Sequence, residues 1–168
     1  MAATIAIKVQ RHDFDIGAEL TALSTGNTQI GGVASFTGLV RDIVPAATGK
    51  SSGGSSMTLE HYPGMTEKQL TAIAEEATRR WPLDACLIIH RFGKLLPGDR
   101  IVLVATASAH REAALEACAF LIDWLKTKAP FWKLEDDGSA QNWVAAKDSD
   151  DAAAARWAQP DPLPDRQD

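Results

Sequence analysis

The chain has 168 residues with a formal net charge of -5, 45% hydrophobic and 23% charged, which suits one soluble domain with a proper core. The acidic balance excludes a general nucleic-acid binder, whose footprint is a basic face. No apolar run approaches the roughly 18 residues of a membrane span, and the N-terminus lacks a basic start followed by an apolar stretch, so no secretory signal is read and the expected compartment is the cytoplasm.

From the N-terminus, "TIAIKVQ" alternates apolar and polar positions as a strand does, and "DFDIGAELTALS" follows with aspartate near its start and apolar residues at helical spacing. "QIGGVASFTGLVR" predicts a second strand, β-branched and punctuated by glycine, ending at Arg41. Residues 41–56 then form a loop rich in Gly, Ser, Ala and Pro, too poor in apolar surface to order itself and long for a plain connection. It is read as a lid, because "MTLEHY" resumes a strand at once. Thr66 and Gln69 form a capping-box pattern ahead of a helix with one apolar face, Leu70, Ile73, Ala74, Ala77 and Trp81, which Pro82 terminates.

"DACLIIHRF" and "RIVLVATASA" predict two strands joined across a Pro-Gly-Asp turn. Ser108 is placed as the cap of a long helix over 109–127, which Pro130 prevents from continuing. "FWKLE" and "NWVAA" read as short strands, "DSDDAAAARWA" as a last helix, and the polar, proline-rich end as a frayed tail. Cys86 and Cys118 stand in apolar segments with no second ligand at metal spacing, so buried thiols are expected rather than a disulfide. Consecutive strands without intervening helices predict an α+β fold, a largely antiparallel sheet with packed helices, as a single domain over 1–147 followed by a C-terminal helix and polar tail over 148–168.

The chemistry is sought among cations. His110 and Arg111 fall in the first turn of a helix, where the dipole favours acidic residues; two basic groups there fit a bound anion, held by free N–H groups, an imidazole and a guanidinium fork. The alternative is that both side chains point into solvent. Lys126 closes the same helix, where a cation suits the dipole whatever its function. Lys133 follows "PFW", in which proline and two aromatics provide rigid packing expected to hold an ammonium in place and partly desolvate it. A lysine so placed can serve as acid, base or nucleophile; the alternative is a snorkelling side chain at a strand edge. Arg41 stands at the mouth of the loop. His61 and His90 are read as hydrogen-bonded core histidines, and "TGKSSGG" lacks the spacing of a phosphate loop. His110 and Lys126 are sixteen residues apart on one helix, roughly 24 Å at about 1.5 Å per residue. One small ligand therefore meets both only if a second copy supplies one end, and a two-fold dimer would hold two composite pockets.

Five segments in order, "ASFTGLVRD", "LEHYPGMTEKQL", "IIHRFGKLLPGD", "SAHREAALEAC" and "DWLKTKAPFWKLE", resemble the MoaE family, the catalytic large subunits of molybdopterin synthase, over roughly residues 4–147. The resemblance implies an α/β-hammerhead fold and a homodimer carrying a small ubiquitin-like, MoaD-type subunit at each end, hence a heterotetramer. It further implies that the small subunit's C-terminal Gly-Gly, as a thiocarboxylate, donates sulfur to cyclic pyranopterin monophosphate and so makes the molybdopterin dithiolene, with no metal or organic cofactor. Matched by motif, the resemblance implies that Lys126 and Lys133 would be the essential lysines, that Leu39, Val40, Arg41, His110 and Arg111 would contact the pterin with Leu134 and Glu135 beside it, and that Lys147 matches a basic position. Leu39 and Leu134 depart from the pattern, standing where many relatives carry basic residues. Two rival readings of the same cations are a non-catalytic sensor of a phosphorylated metabolite and a lysine enzyme that forms a Schiff base with a carbonyl substrate.

Overall fold

The structure is a computed structural model that describes residues 2–45, 48–50, 53–144 and 148–158. In chain order its elements are β1 (Thr4–Gln10), α1 (Ile16–Ser24), β2 (Gly32–Leu39), β3 (Ser56–His61), α2 (Met65–Arg80), β4 (Ala85–Arg91), β5 (Gly93–Leu95), β6 (Arg100–Ser108), α3 (Arg111–Lys128), β7 (Phe131–Asp136), β8 (Gln141–Val144) and α4 (Asp148–Ala155). Two four-stranded sheets result, ordered β1-β4-β6-β2 and β5-β3-β7-β8, and β1–β4 is the parallel pair in an otherwise antiparallel arrangement.

β4 and β6 read as continuous apolar runs because both of their faces are covered. Cys86, Ile88 and Val104 face α2 and α3, where they meet Leu70, Ile73, Ala74, Ala77, Ala117 and Leu121. Leu87, Ile89, Leu103 and Ala105 face the other way, onto Phe14 and the Ile16, Leu20 and Leu23 stripe of α1. Burial of each such leucine or isoleucine contributes about 1.5–3 kcal/mol. The second sheet joins the first through a smaller cluster of Val40, Met57, Leu59 and Leu95, with Ile101 against it.

The predicted α+β class, the helices and most of the strands are present, and Cys86 and Cys118 are buried free thiols. Four local expectations are corrected. β5 was not expected; it has three residues and exists by pairing with β3 across a long stretch of chain. α2 starts two residues earlier than the Thr66 cap implies: Gly64 is the N-cap and its N–H donates to Glu67 Oε2 at 2.7 Å. Thr66 is instead fully buried, its hydroxyl accepting from Tyr62 N. Ser108 does not cap α3, since His110 holds that position and Ser108 Oγ donates to the Pro82 carbonyl at 2.7 Å. The expected frayed tail and part of the predicted loop, 46–47 and 51–52, lie outside the described residues. Among the described residues no helix is long and apolar enough to cross a membrane.

Candidate active site at the two ends of α3

α3 runs antiparallel to β6. Thr106 Oγ1 donates to the Ala114 carbonyl at 2.7 Å and Cys118 Sγ lies 4.0 Å from the Val104 carbonyl, so the helix retraces the strand toward its start. From Cys118 to Lys126 the helix advances about 12 Å, and from Val104 back to Arg100 the strand covers about 13 Å. Lys126 is thus level with Arg100, whose partner across the sheet is Leu39. At the opposite end Ser108 pairs with Gly32, and His110 and Arg111 follow directly.

The cations therefore fall into two sets. One is Arg41, Lys126 and Lys133. Val40 is only 3% exposed and is fixed on both sides, its N–H donating to the Asp99 carbonyl at 2.9 Å and its own carbonyl accepting from Gly98 N at 2.8 Å. Arg41 leaves this anchor exposed to solvent, as does Leu39 before it at 54%. Lys133 and Glu135 are in register with Leu59 and Met57 of β3. Facing pairs share one side of a sheet, so both side chains emerge on the side where Leu59 and Met57 pack on Val40. Their ion pair, 2.8 Å from Nζ to Oε1, fixes the half-buried ammonium in place. Ser55, buried at the base of the loop, donates from Oγ to Asp42 at 2.7 Å.

The second set is His110 and Arg111. His110 is an N-cap whose side chain makes no capping bond, and both residues are exposed. Their turn is held against the start of β2: Gly31 N–H donates to the Ser108 carbonyl at 3.0 Å, and a Cβ on Gly31 would stand 2.2 Å from the Ala109 carbonyl oxygen. Glycine is required here for close approach. The first helical turn with no capping side chain leaves N–H groups beside two basic side chains, an arrangement that accepts an oxyanion.

Two sequence expectations meet a different geometry. Trp132 was read as rigid buried packing beside Lys133, yet it is 50% exposed, because it points away from the Lys133 side with Glu60 opposite it. Leu134 shares that outer face with Trp143, away from Lys133 and Glu135. Lys126 is exposed in the isolated protomer. Lys147 lies outside the described residues. The Lys133–Glu135 pairing was not foreseen as a contact, although an i, i+2 spacing on a strand carries that information. His90, expected as a core histidine, is 8% exposed and stacks on Phe131 at 3.7 Å between ring centroids.

Residues 9–128 match the family described as MoaE protein. The chain belongs to that family. A molybdopterin synthase catalytic subunit from Rhizobium meliloti is 53% identical over 94% of this chain and 98% of its own length. A MoaE protein structure from Burkholderia ambifaria superposes with a TM-score of 0.77 at 49% identity, covering 93% of this chain and 99% of that one. A molybdopterin synthase structure from Staphylococcus aureus gives a TM-score of 0.69 at 30% identity over 82% of this chain and 96% of its own. All three likenesses span both ends of α3 in this MoaE chain, so the divided cation set falls within the shared region.

Proposed function

We infer that the chain is the catalytic subunit of a molybdopterin synthase, a sulfurtransferase of molybdenum cofactor biosynthesis acting in the cytoplasm. It moves sulfur from the thiocarboxylated C-terminus of a small ubiquitin-like subunit onto cyclic pyranopterin monophosphate, and two such transfers form the dithiolene. The observation that carries this reading is the division of the cations between ends of α3 roughly 24 Å apart, in a chain whose close relatives bear that name. Arg41, Lys126 and Lys133 from one copy and His110 and Arg111 from a second would enclose one anionic substrate. Edge strand β2 supports the pairing, since it exposes Val33, Phe36 and Leu39, and α3 exposes Leu115.

In this composite pocket His110, Arg111 and the helix N-terminus bind the cyclic phosphate. Lys126 positions the thiocarboxylate and moves protons, while Lys133, steadied by Glu135, holds substrate and stabilises developing negative charge. The two lysine roles are exchangeable on this geometry. Leu39 and Val40 form the apolar floor beside Arg41, Leu134 lies on the outer face of β7, Lys147 is a further basic contact for the substrate, and the 41–56 loop closes over substrate as a lid. The small subunit's tail enters as an extended peptide.

Supplying thiocarboxylated small subunit and the cyclic pterin should yield dithiolene product, and Lys126→Ala should abolish it with the fold preserved. Stoichiometric binding without turnover would favour the sensor reading, and a borohydride-trapped adduct on either lysine the Schiff-base reading. Mixing His110→Ala chains with Lys126→Ala chains should restore one good pocket per heterodimer; no recovery would refute the shared site.

A further inference from the structure

The joint between α3 and β7 is only Ala129 and Pro130, and it separates the two lysines assigned above. Pro130 turns the chain, and Phe131 N–H donates back to the Ala129 carbonyl at 2.8 Å, closing a tight three-residue turn. Such a turn has few internal contacts, so its orientation depends on what holds it from outside. α2 supplies one hold, the buried Thr66 hydroxyl, 3.5 Å from the Pro130 carbonyl.

His90 supplies the other. At the end of β4 its ring lies stacked on Phe131, 17° from parallel and 3.7 Å between centroids. His90 Nδ1 is 2.9 Å from the Arg91 carbonyl oxygen; a carbonyl only accepts, so Nδ1 carries the proton and the ring plane is fixed by its own strand. Its neighbours across the sheet are Val9 on β1 and Val102 on β6, both uncharged. His61 of β3 completes the cluster, 6.3 Å from Phe131 and 4.2 Å from Phe92. The stack thus runs from the well-packed first sheet to the first residue of β7, two positions before Lys133.

We propose that His90 is a positioning residue for the sulfur transfer, its ring holding Phe131 and thereby setting the placement of Lys133 relative to Lys126. This rests on the function inferred above. A leucine would fill the volume without the flat face or the N–H, and a phenylalanine would keep the face alone. His90→Leu lowers kcat on the order of 10- to 100-fold, as expected when a reacting group is misplaced by up to about 1 Å, with KM for the small subunit within about twofold. His90→Phe recovers most of the loss. Phe131→Leu matches His90→Leu, and the double variant is no worse than either, because both changes release one contact.

The decisive readout that does not need turnover is amide hydrogen exchange. His90→Leu should speed exchange across β7 while β4 and β6 keep their protection. A folded His90→Leu chain with unchanged kcat and unchanged β7 exchange overturns the proposal, as does a phenylalanine variant that falls as far as leucine. If the unaltered chain makes no dithiolene product, the inferred function fails, and the exchange comparison still decides whether His90 holds the joint.

Discussion

Replacing Gly31 with alanine tests whether the turn before α3 is a placed part of the site. The added Cβ would lie 2.2 Å from the Ala109 carbonyl oxygen and 3.2 Å from its carbon. Relief to an ordinary contact needs a shift of about 1 Å, and the obstacle is backbone, so no side chain can swing aside. The Ser108 side of the turn is pinned to Pro82 and to Gly31 itself, which leaves the His110 side to move. Overpacking of this kind costs about 1–3 kcal/mol, measurable as a lower urea midpoint. Displacing His110 and Arg111 by about 1 Å should cost roughly 100-fold in kcat/KM. Mixing Gly31→Ala with Lys126→Ala chains should recover activity, since the first keeps an intact lysine end and the second an intact His110 end. Gly26→Ala is the control: its φ is 83° with nothing within 4 Å of the added carbon, so it strains a turn by about 1 kcal/mol without moving the site. Turnover and stability of Gly31→Ala within twofold of the unaltered chain would refute the reasoning.

Burial pushes His90 down from 6.5 to about 4, so between those values the unfolded chain binds a proton that the folded chain refuses. This contribution to stability is complete well above pH 6.5 and is lost with acidification, by roughly 2–3 kcal/mol at pH 4.5; His90→Leu should lack this component in urea titrations at pH 7 and pH 4.5, and equal acid sensitivity of the two chains would contradict it. Trp157→Ala removes edge contacts to Trp81 and Phe120 and the Nε1 bond to Asp123, with an expected loss of about 2–3 kcal/mol and a lower thermal midpoint. Glu135→Gln frees Lys133 from its partner; a half-exposed pair is worth at most about 1 kcal/mol, so stability should barely change while kcat or KM moves several-fold, a split read from steady-state kinetics beside a melt.

The helical layer was legible because its period is strong: the Leu70, Ile73, Ala74 and Ala77 stripe of α2 faces the core as its spacing requires. β5 was not, since three residues carry no period and its partner β3 lies far away in sequence. Thr66 and Ser108 have the composition of caps, but the distant carbonyls of Pro130 and Pro82 took their hydroxyls instead. Trp132 shows the limit of hydrophobicity alone, for strand alternation put it outward once Lys133 was turned inward. The separation of His110 from Lys126 needed only helix rise and was readable before any coordinates. Which cations share an end was not, because Arg41 joins Lys126 and Lys133 through sheet pairing.

The five tryptophans divide into two optical classes. Trp81, Trp124 and Trp157 are packed on the main core, whereas Trp132 and Trp143 are 50% and 60% exposed on β7 and β8. Iodide should quench the second class selectively and leave a blue-shifted residue of emission from the first. The chain therefore carries a built-in fluorophore pair on the lysine-bearing strand and its neighbour, and any change in solvent access on that face can be followed without a label.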